Sequence, residues 1–229
     1  LFCTYMKNKT VRIDIWGAFW SIVWMLLLIL FVLRIFVFQQ VSVFGDSMQL
    51  NYFEGEQLLI NRRVPELKRG HVVAVYENRD VARNANFFTP YQAKLFLKRI
   101  IALPGEEVEI IGPNVIIYND QNPDGVLLNE EYISPKIRRQ MELLDQYYPR
   151  TEVPEGEFYV LGDNRANSKD SRVTGPFPDY SVFGAETLRF WPSSTARFFE
   201  LPEYLSLCTD YAQRDLVLYR AEYQNGLSR

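Results

Sequence analysis

The longest apolar stretch of the chain covers residues 15–33, where no position is charged. As a helix rising about 1.5 Å per residue it is about 28 Å long, close to the hydrocarbon thickness of a bilayer. It is apolar on every side, whereas a core helix of a soluble protein has a single apolar stripe. The bulky Phe38-Gln39-Gln40 that follows is unlike the small residues of a signal-peptide cleavage site. We therefore predict an uncleaved transmembrane anchor over residues 15–38.

The orientation of this anchor follows from its flanking charges. Three basic residues precede it: Lys7, Lys9 and Arg12. Only Arg34 lies at its far edge. Because basic residues favour the cytoplasmic side, we expect a single-pass protein of the cell membrane. Residues 1–14 would be cytoplasmic, and residues 39–229 would lie on the extracytoplasmic side.

Beyond the anchor, apolar positions form short runs rich in β-branched and aromatic residues, which indicates strands rather than helices. Turn signals such as Pro104-Gly105 and Gly112-Pro113-Asn114 separate these runs. The pattern predicts a mainly β catalytic domain over residues 39–192, either a β-barrel or packed antiparallel sheets. The predicted strands cover residues 57–61, 72–76, 95–101, 108–111, 115–118, 126–128, 157–161 and 187–190.

Two regions of this domain read as insertions, near residues 77–92 and 112–153. The first is polar and contains three asparagines, which predicts a hairpin tip or a loop. Within the second, residues 130–150 carry mixed charge, and the pattern predicts a short helix near residues 136–147.

The two ends of the sequence are less informative. After Pro192 the pattern changes, and residues 193–229 read as a tail that is partly helical, with helical spacing over residues 203–223. The sequence begins with Leu1 rather than methionine, which indicates a fragment or a start at Met6.

The composition narrows the function classes. The chain is 48% hydrophobic and 15% aromatic, as expected of a folded protein. Its net charge of −3 gives no electrostatic basis for nucleic-acid binding. Cys3 and Cys208 lie on opposite sides of the predicted span, so we expect no disulfide between them. No ligand-spaced cluster or phosphate-binding glycine loop is present, so we expect neither metal nor cofactor.

The candidate nucleophile is Ser47, in the glycine-hinged segment Gly45-Asp46-Ser47-Met48. Taken alone, this segment is equally typical of an ordinary turn. A serine nucleophile needs a base, and the chain has a single histidine, His71. That histidine directly precedes a predicted strand, and we interpret it as a strand-start residue.

Lys98 is the candidate base. A free lysine has a pKa of about 10.4, so it must be buried to act as a base near neutral pH. Strand alternation places Phe96 and Ile100 on the same face as Lys98, which supplies an apolar environment. Arg99 points to the other face, and Lys94 is a weaker candidate nearer the strand entrance. A solvent-exposed strand lysine is the alternative interpretation of Lys98.

A third polar segment covers residues 162–172 and reads Gly-Asp-Asn-Arg-Ala-Asn-Ser-Lys-Asp-Ser-Arg. A solvated loop would have this composition, and so would a hydrogen-bonded rim that orients an amine. Together with residues 45–48 and 98–106, it resembles the conserved boxes of type I signal peptidases. The segment agrees with the family pattern G-D-N-R-x-x-S-x-D-S-R at every fixed position, and the resemblance covers residues 15–192.

This resemblance implies a membrane-bound serine endopeptidase that removes signal peptides from exported precursor proteins. It implies Ser47 as nucleophile and Lys98 as general base of a Ser–Lys dyad. Ser168 matches the serine that hydrogen-bonds the lysine amine, and the Ser47 N–H would contribute to the oxyanion hole. In some members a hydroxyl residue adds a second donor at the position of Gly45. Four residues match positions that support the site through ion pairs: Asp163, Arg165, Asp170 and Arg172.

The chain departs from the family pattern directly after the serine. The family usually continues Ser-Met-x-Pro-Thr, and here Leu50 and Asn51 replace the proline and threonine. Four apolar residues around the serine either form a lip that touches lipid or pack in the core: Phe44, Met48, Tyr52 and Phe53.

Two other functions are compatible with parts of the sequence. A catalytically weak membrane scaffold or binding module would tolerate the altered serine loop. A self-cleaving repressor of the LexA type shares the Ser–Lys chemistry, but it needs a DNA-binding domain where this chain has its apolar span.

Overall fold

The computed structural model describes residues 15–86, 89 and 93–202, with the backbone alone at residue 35. The described helices are α1 (Ile15–Phe36), α2 (Arg79–Arg83), α3 (Pro135–Leu144) and α4 (Ser171–Thr174), with 3-10 turns at Asp179–Ser181 and Ser193–Thr195. The described strands are β1 (Phe38–Ser42), β2 (Gln57–Asn61), β3 (Val72–Tyr76), β4 (Leu95–Ala102), β5 (Glu107–Ile111), β6 (Asn114–Asn119), β7 (Asn122–Leu127), β8 (Tyr147–Glu152), β9 (Glu157–Leu161), β10 (Phe177–Pro178), β11 (Val182–Trp191) and β12 (Arg197–Phe198).

Helix α1 is apolar and stands apart from the rest of the protein. None of the apolar window Ile15–Arg34 is buried against other residues. By length and composition it is the one helix among the described residues that is able to cross a membrane. Strand β1 follows the helix almost at once, so the folded domain begins beside the end of this helix.

The larger sheet places the predicted lysine strand β4 near its centre. Its strand order is β1-β2-β11-β3-β4-β9-β10, and β12 pairs with β11 at the side. Every described strand pairing is antiparallel, which confirms the prediction of a mainly β protein with antiparallel sheets. Strands β2, β3 and β9 begin and end at the predicted residues.

The second sheet has the order β7-β6-β5-β8 and takes most of its residues from the region 112–153. The predicted insertion therefore contributes three of the four strands of a sheet that has its own buried cluster. Helix α3 ends at Leu144, earlier than predicted, because Asp145 adopts a left-handed conformation (φ 43°) and its N–H caps Met141 O. Tyr147 already belongs to β8.

The predicted loop at residues 77–92 contains a short helix. Asn78 caps α2 by accepting from the N–H groups of Asp80 and Val81, which explains why an asparagine begins it. The segment joins the antiparallel neighbours β3 and β4, as a hairpin connection does, and the prediction missed only the helix at residues 79–83. The predicted helix at residues 203–223 lies outside the described residues.

The core lies on both faces of the larger sheet. In β3, Val72 and Ala74 join one buried cluster, whereas Val73 and Val75 join the cluster on the opposite face. The first cluster includes Met48 and Tyr52 from the loop after β1. Their burial corrects the prediction of a lipid-facing lip at these two positions. Phe44 and Phe53 remain exposed.

Candidate active site

Ser47 and Lys98 meet beside strand β4. Ser47 is half-buried and follows Gly45, whose positive φ of 74° favours glycine. Lys98 is only 1% exposed and lies opposite Val73 in the sheet register. Its Nζ is 2.7 Å from Ser47 Oγ and 5.2 Å from the centre of the Phe96 ring. The structure thus brings the two predicted catalytic groups into hydrogen-bond contact, in the apolar environment that strand alternation predicted.

Burial lowers the pKa of Lys98 to about 8. The carboxylates of Asp170 and Asp163 oppose this shift, and the charge of Arg172 reinforces it. At pH 7 about one protein molecule in ten then carries the neutral amine, compared with fewer than about one in a thousand for a free lysine. A neutral amine at 2.7 Å is able to accept the Ser47 proton.

The serine loop, which we define as residues 45–53, is docked on the start of the 162–172 segment. The Asn164 N–H donates to Ser47 O (2.9 Å), and the Asn164 side chain donates to Asp46 O (2.9 Å). The Asp163 N–H donates to the sulfur of the buried Met48 (3.3 Å). Asn164 of the 162–172 segment therefore holds the backbone carbonyl groups of Ser47 and of the residue before it.

Two acid–arginine pairs lie beside the dyad. Asp163 forms a bidentate pair with Arg99, at 2.8 and 2.6 Å, and Asp170 forms one with Arg172, at 2.8 Å for each contact. Asp170 also accepts from the Gly162 N–H (3.0 Å). Burial alone would raise the pKa of Asp170, but the hydrogen bonds and charge of Arg172 bring that pKa below its usual value.

The predicted supporting residue Arg165 pairs with Glu130, and both side chains are buried. Arg165 Nε also donates to Gly162 O (3.2 Å). Glu130 was not among the predicted site residues, and Arg99 was predicted only to face away from Lys98. A buried carboxylate partner for Arg99 was predictable, because an arginine side chain on a buried face of a central strand needs a counter-charge. Glu130 lies just after β7 and is 35 residues before Arg165 in the sequence. No local sequence pattern predicts that these two residues pair.

Asn51 occupies the position at which the family has threonine. Its side-chain amide donates to Asp163 Oδ2 (2.8 Å) and to Tyr132 O (2.9 Å). Asn51 therefore ties the end of the serine loop to the same carboxylate that Arg99 holds.

Ser168 does not make the predicted contact. Its buried Oγ has no hydrogen bond of normal geometry among the described residues, so the bond to the Lys98 amine is not formed in this structure. Its hydroxyl lies against Gly162 and is near enough to Asp170 to help lower the pKa of that carboxyl.

His71 directly precedes strand β3, in agreement with its interpretation as a strand-start residue. Its Nδ1 accepts from the Lys68 N–H (2.8 Å), and its ring lies 5.9 Å from the Phe199 ring. Burial and the charge of Lys68 lower its pKa. These contacts give it a role in the turn before β3.

A groove of about 600 Å³ opens at the dyad. Its walls come from the end of β1, the serine loop, the start of β4 and Lys169. Among the described residues no acceptor takes the Ser47 N–H, and Gly45 faces open space. Phe44, 76% exposed, stands at the groove. The lining residues are Gln40, Val41, Ser42, Phe44, Gly45, Asp46, Ser47, Ala93, Lys94, Leu95, Phe96, Lys98 and Lys169.

Comparisons with known proteins agree with this arrangement. The family model described as signal peptidase, peptidase S26, matches residues 16–191. A probable signal peptidase I-1 from Synechocystis is 32% identical over 170 residues, covering 73% of this chain and 79% of that protein. Signal peptidase I P from Bacillus subtilis subsp. natto is 30% identical over 179 residues, covering 75% and 86%.

A solved structure is also similar in sequence. The crystal structure of a signal peptidase I from Enterococcus faecalis is 29% identical, with a TM-score of 0.40. The match covers 54% of this chain and 98% of that one. Because the family model spans well over half of the chain, and both bacterial relatives match most of their own length, the chain belongs to the peptidase S26 family of signal peptidases, the hydrolases that remove signal peptides from precursor proteins.

Proposed function

We propose that this signal peptidase works by a Ser–Lys dyad in which Ser47 is the nucleophile and Lys98 the general base. The observation that carries the proposal is the 2.7 Å contact between Ser47 Oγ and a buried amine whose pKa is about 8. A solvated lysine would be protonated at neutral pH and unable to accept the proton. The apolar neighbours of Lys98 remove that obstacle by disfavouring its charged form.

The chemistry follows from these positions. The neutral Lys98 amine takes the Ser47 proton while Oγ attacks the scissile carbonyl carbon, and the Ser47 N–H donates to the developing oxyanion. Collapse of this intermediate breaks the C–N bond, and the Lys98 ammonium gives its proton to the leaving amine. Water, deprotonated by Lys98, then attacks the acyl-enzyme ester. The carboxylate leaves, and the proton returns to Oγ.

The groove suits an extended substrate segment. Strand β1 is an edge of the larger sheet, and β9 pairs with β4 only from Arg99 onwards, so residues 95–98 keep one unpaired edge. Both free edges line the groove beside Ser47. A peptide added to such an edge gains backbone hydrogen bonds, and the side chains that alternate along it occupy shallow pockets.

The membrane supplies the setting for this reaction. We propose residues 1–14 in the cytoplasm, residues 15–38 as the anchor, and residues 39–192 as the catalytic domain outside, followed by the tail 193–229. The exposed Phe44 and Phe53 would touch the lipid bilayer in which the substrate's own apolar segment is embedded.

The test is cleavage of a secretory precursor by the purified full chain in detergent. Ser47→Ala and Lys98→Met should each reduce turnover by at least about 10³-fold while the protein stays folded. Lys68→Met is the control, because Lys68 is exposed, pairs with Glu66 and is outside the groove lining. It should retain turnover within about threefold. Equal cleavage by wild type and Ser47→Ala would reject Ser47 as the nucleophile, and no cleavage by either would leave a scaffold or binding module as the function.

A further inference from the structure

A second polar cluster lies behind the serine loop, on the opposite face of the sheet from Lys98. The Tyr52 hydroxyl donates to Glu186 on β11, and these side chains are 3% and 5% exposed. Glu186 lies opposite Ile60, whose side chain belongs to the same buried cluster as Tyr52. None of the catalytic steps uses this hydrogen bond.

Positive charges surround the pair from several elements. The Arg189 guanidinium of β11 lies 4.2 Å from the centre of the Tyr52 ring, and Arg99 of β4 and Arg197 of β12 both act on Glu186. Arg189 Nη1 also donates to Asn51 O (2.9 Å) and pairs with Glu56 (3.0 Å). The end of the serine loop is therefore held to β11 by the side chains of Glu186 and Arg189.

The pair connects to the nucleophile through one tight turn. The Tyr52 N–H donates to Met48 O (3.0 Å), and Met48 directly follows Ser47. Asn51, next to Tyr52, is bonded to Asp163 on the other side. A displacement of the Tyr52 ring would therefore move the segment that sets the position of Ser47 Oγ.

Burying the Tyr52–Glu186 pair costs free energy, because the carboxylate loses its hydration. Burial raises the pKa of Glu186, against the opposing hydrogen bond from Tyr52 and the charges of Arg189 and Arg99. An apolar pair of similar volume would fill the same space without desolvating a carboxylate. What the polar pair adds is direction, because a hydroxyl–carboxylate bond fixes where the ring end lies.

We infer that Tyr52 and Glu186 are positioning residues for Ser47. Their hydrogen bond holds the serine loop so that Ser47 Oγ stays in contact with Lys98 Nζ. This inference rests on the proposed roles of Ser47 and Lys98. Neither Tyr52 nor Glu186 lines the groove, so loss of their hydrogen bond should lower kcat and leave KM unchanged.

Three variants of the full chain test the inference in the precursor assay. Tyr52→Phe keeps the ring and removes the donor, and its kcat should fall about tenfold with KM within about twofold. Glu186→Gln still accepts the hydroxyl and should stay within about threefold of wild type. Tyr52→Phe/Glu186→Leu replaces the polar pair by an apolar one, so its thermal midpoint should return to about the wild-type value while kcat stays low.

The double variant separates positioning from packing, and it decides the test if Tyr52→Phe alone fails to fold. Recovery of wild-type kcat in the double variant would overturn the inference, as would an unchanged kcat in a folded Tyr52→Phe. The pH midpoint of kcat/KM should not move, because the groups that set the Lys98 pKa are untouched. Ser47→Ala is assayed in parallel. Cleavage that survives Ser47→Ala would reject the proposed function, whereas Ser47-dependent cleavage that ignores Tyr52→Phe rejects the positioning pair alone.

Discussion

The backbone carbonyl of Ser47 lies directly against the Cα of Gly162. A Cβ at residue 162 would meet both Ser47 O and Ser168 Oγ well inside van der Waals distance. The backbone at Gly162 does not have a positive φ, so the requirement for glycine here comes from close approach. The contact allows the Asn164 N–H to reach Ser47 O at 2.9 Å.

Gly162→Ala should therefore impair catalysis more than folding. The added methyl group meets the Ser168 side chain and the backbone oxygen of Ser47, and the contact with that backbone oxygen is relieved only if the serine loop moves. We expect kcat/KM to fall at least about tenfold and the free energy of unfolding to drop by about 1–3 kcal/mol. Steady-state cleavage and chemical denaturation measure the two effects.

Gly184→Ala provides the matched control. A Cβ there would meet the backbone oxygen of Asn61 in the same way, but the contact lies between β11 and β2. It should cost a similar amount of stability and leave kcat/KM near the wild-type value below the unfolding transition. Wild-type kcat/KM in Gly162→Ala would show that the close approach does not position the nucleophile.

Burial of Lys98 should make the active site a source of instability. Its pKa is lowered from 10.5 to about 8, so charging it in the folded state costs about 3 kcal/mol. Below pH 8 the unfolded and folded states both bind the proton, and the full cost is present. Lys98→Met should therefore raise the free energy of unfolding at pH 6 to 7 by about 1–3 kcal/mol while abolishing cleavage.

The pH dependence of the stability difference between wild type and Lys98→Met provides a control for this prediction. Between pH 8 and 10.5 the unfolded state binds more protons, so wild-type stability rises with pH and the advantage of Lys98→Met disappears. Lys94→Met, at an exposed lysine paired with Glu77, should show no comparable gain. A loss of stability in Lys98→Met at pH 6 to 7 would contradict the desolvation argument.

Glu130→Gln tests the pair that the sequence did not predict. Arg165 and Glu130 are 2% and 1% exposed, and the substitution leaves the Arg165 charge buried without a counter-charge. We expect a loss of about 3 kcal/mol in the free energy of unfolding, measured by denaturation. Glu107→Gln is the control, since its exposed partner Arg150 should limit the loss to less than about 1 kcal/mol. Equal losses in the two variants would contradict the buried-pair account.

Strands that consist of a short apolar run were predictable from the sequence, and strands that are mostly polar were not. The sequence predicted β2, β3 and β9 to the residue, because each is a short apolar run between turns. Strand β1 was missed because Phe-Gln-Gln-Val-Ser directly follows the anchor and is mostly polar. Strand β8 was missed because Tyr-Tyr-Pro-Arg-Thr-Glu is a polar, largely exposed edge. Both are recognised as strands only through the neighbour with which they pair.

The candidate catalytic residues were predictable from the sequence, but the partners of the buried ion pairs around them were not. Alternation around Lys98 correctly gave its apolar environment, since that depends on residues two positions away. The pairs Arg99–Asp163 and Arg165–Glu130 join segments far apart in sequence, and only the fold brings them together. The burial of Met48 has the same origin, because the core cluster that encloses it comes from strands distant in sequence, among them β3.

The most direct test of the dyad is the pH dependence of kcat/KM for precursor cleavage, measured from about pH 6 to about pH 10. The free enzyme needs a neutral amine on Lys98, so activity should rise with pH and reach half of its plateau near pH 8. A rate without pH dependence, or a midpoint near the value of about 10.4 for a free lysine, would contradict Lys98 as the base.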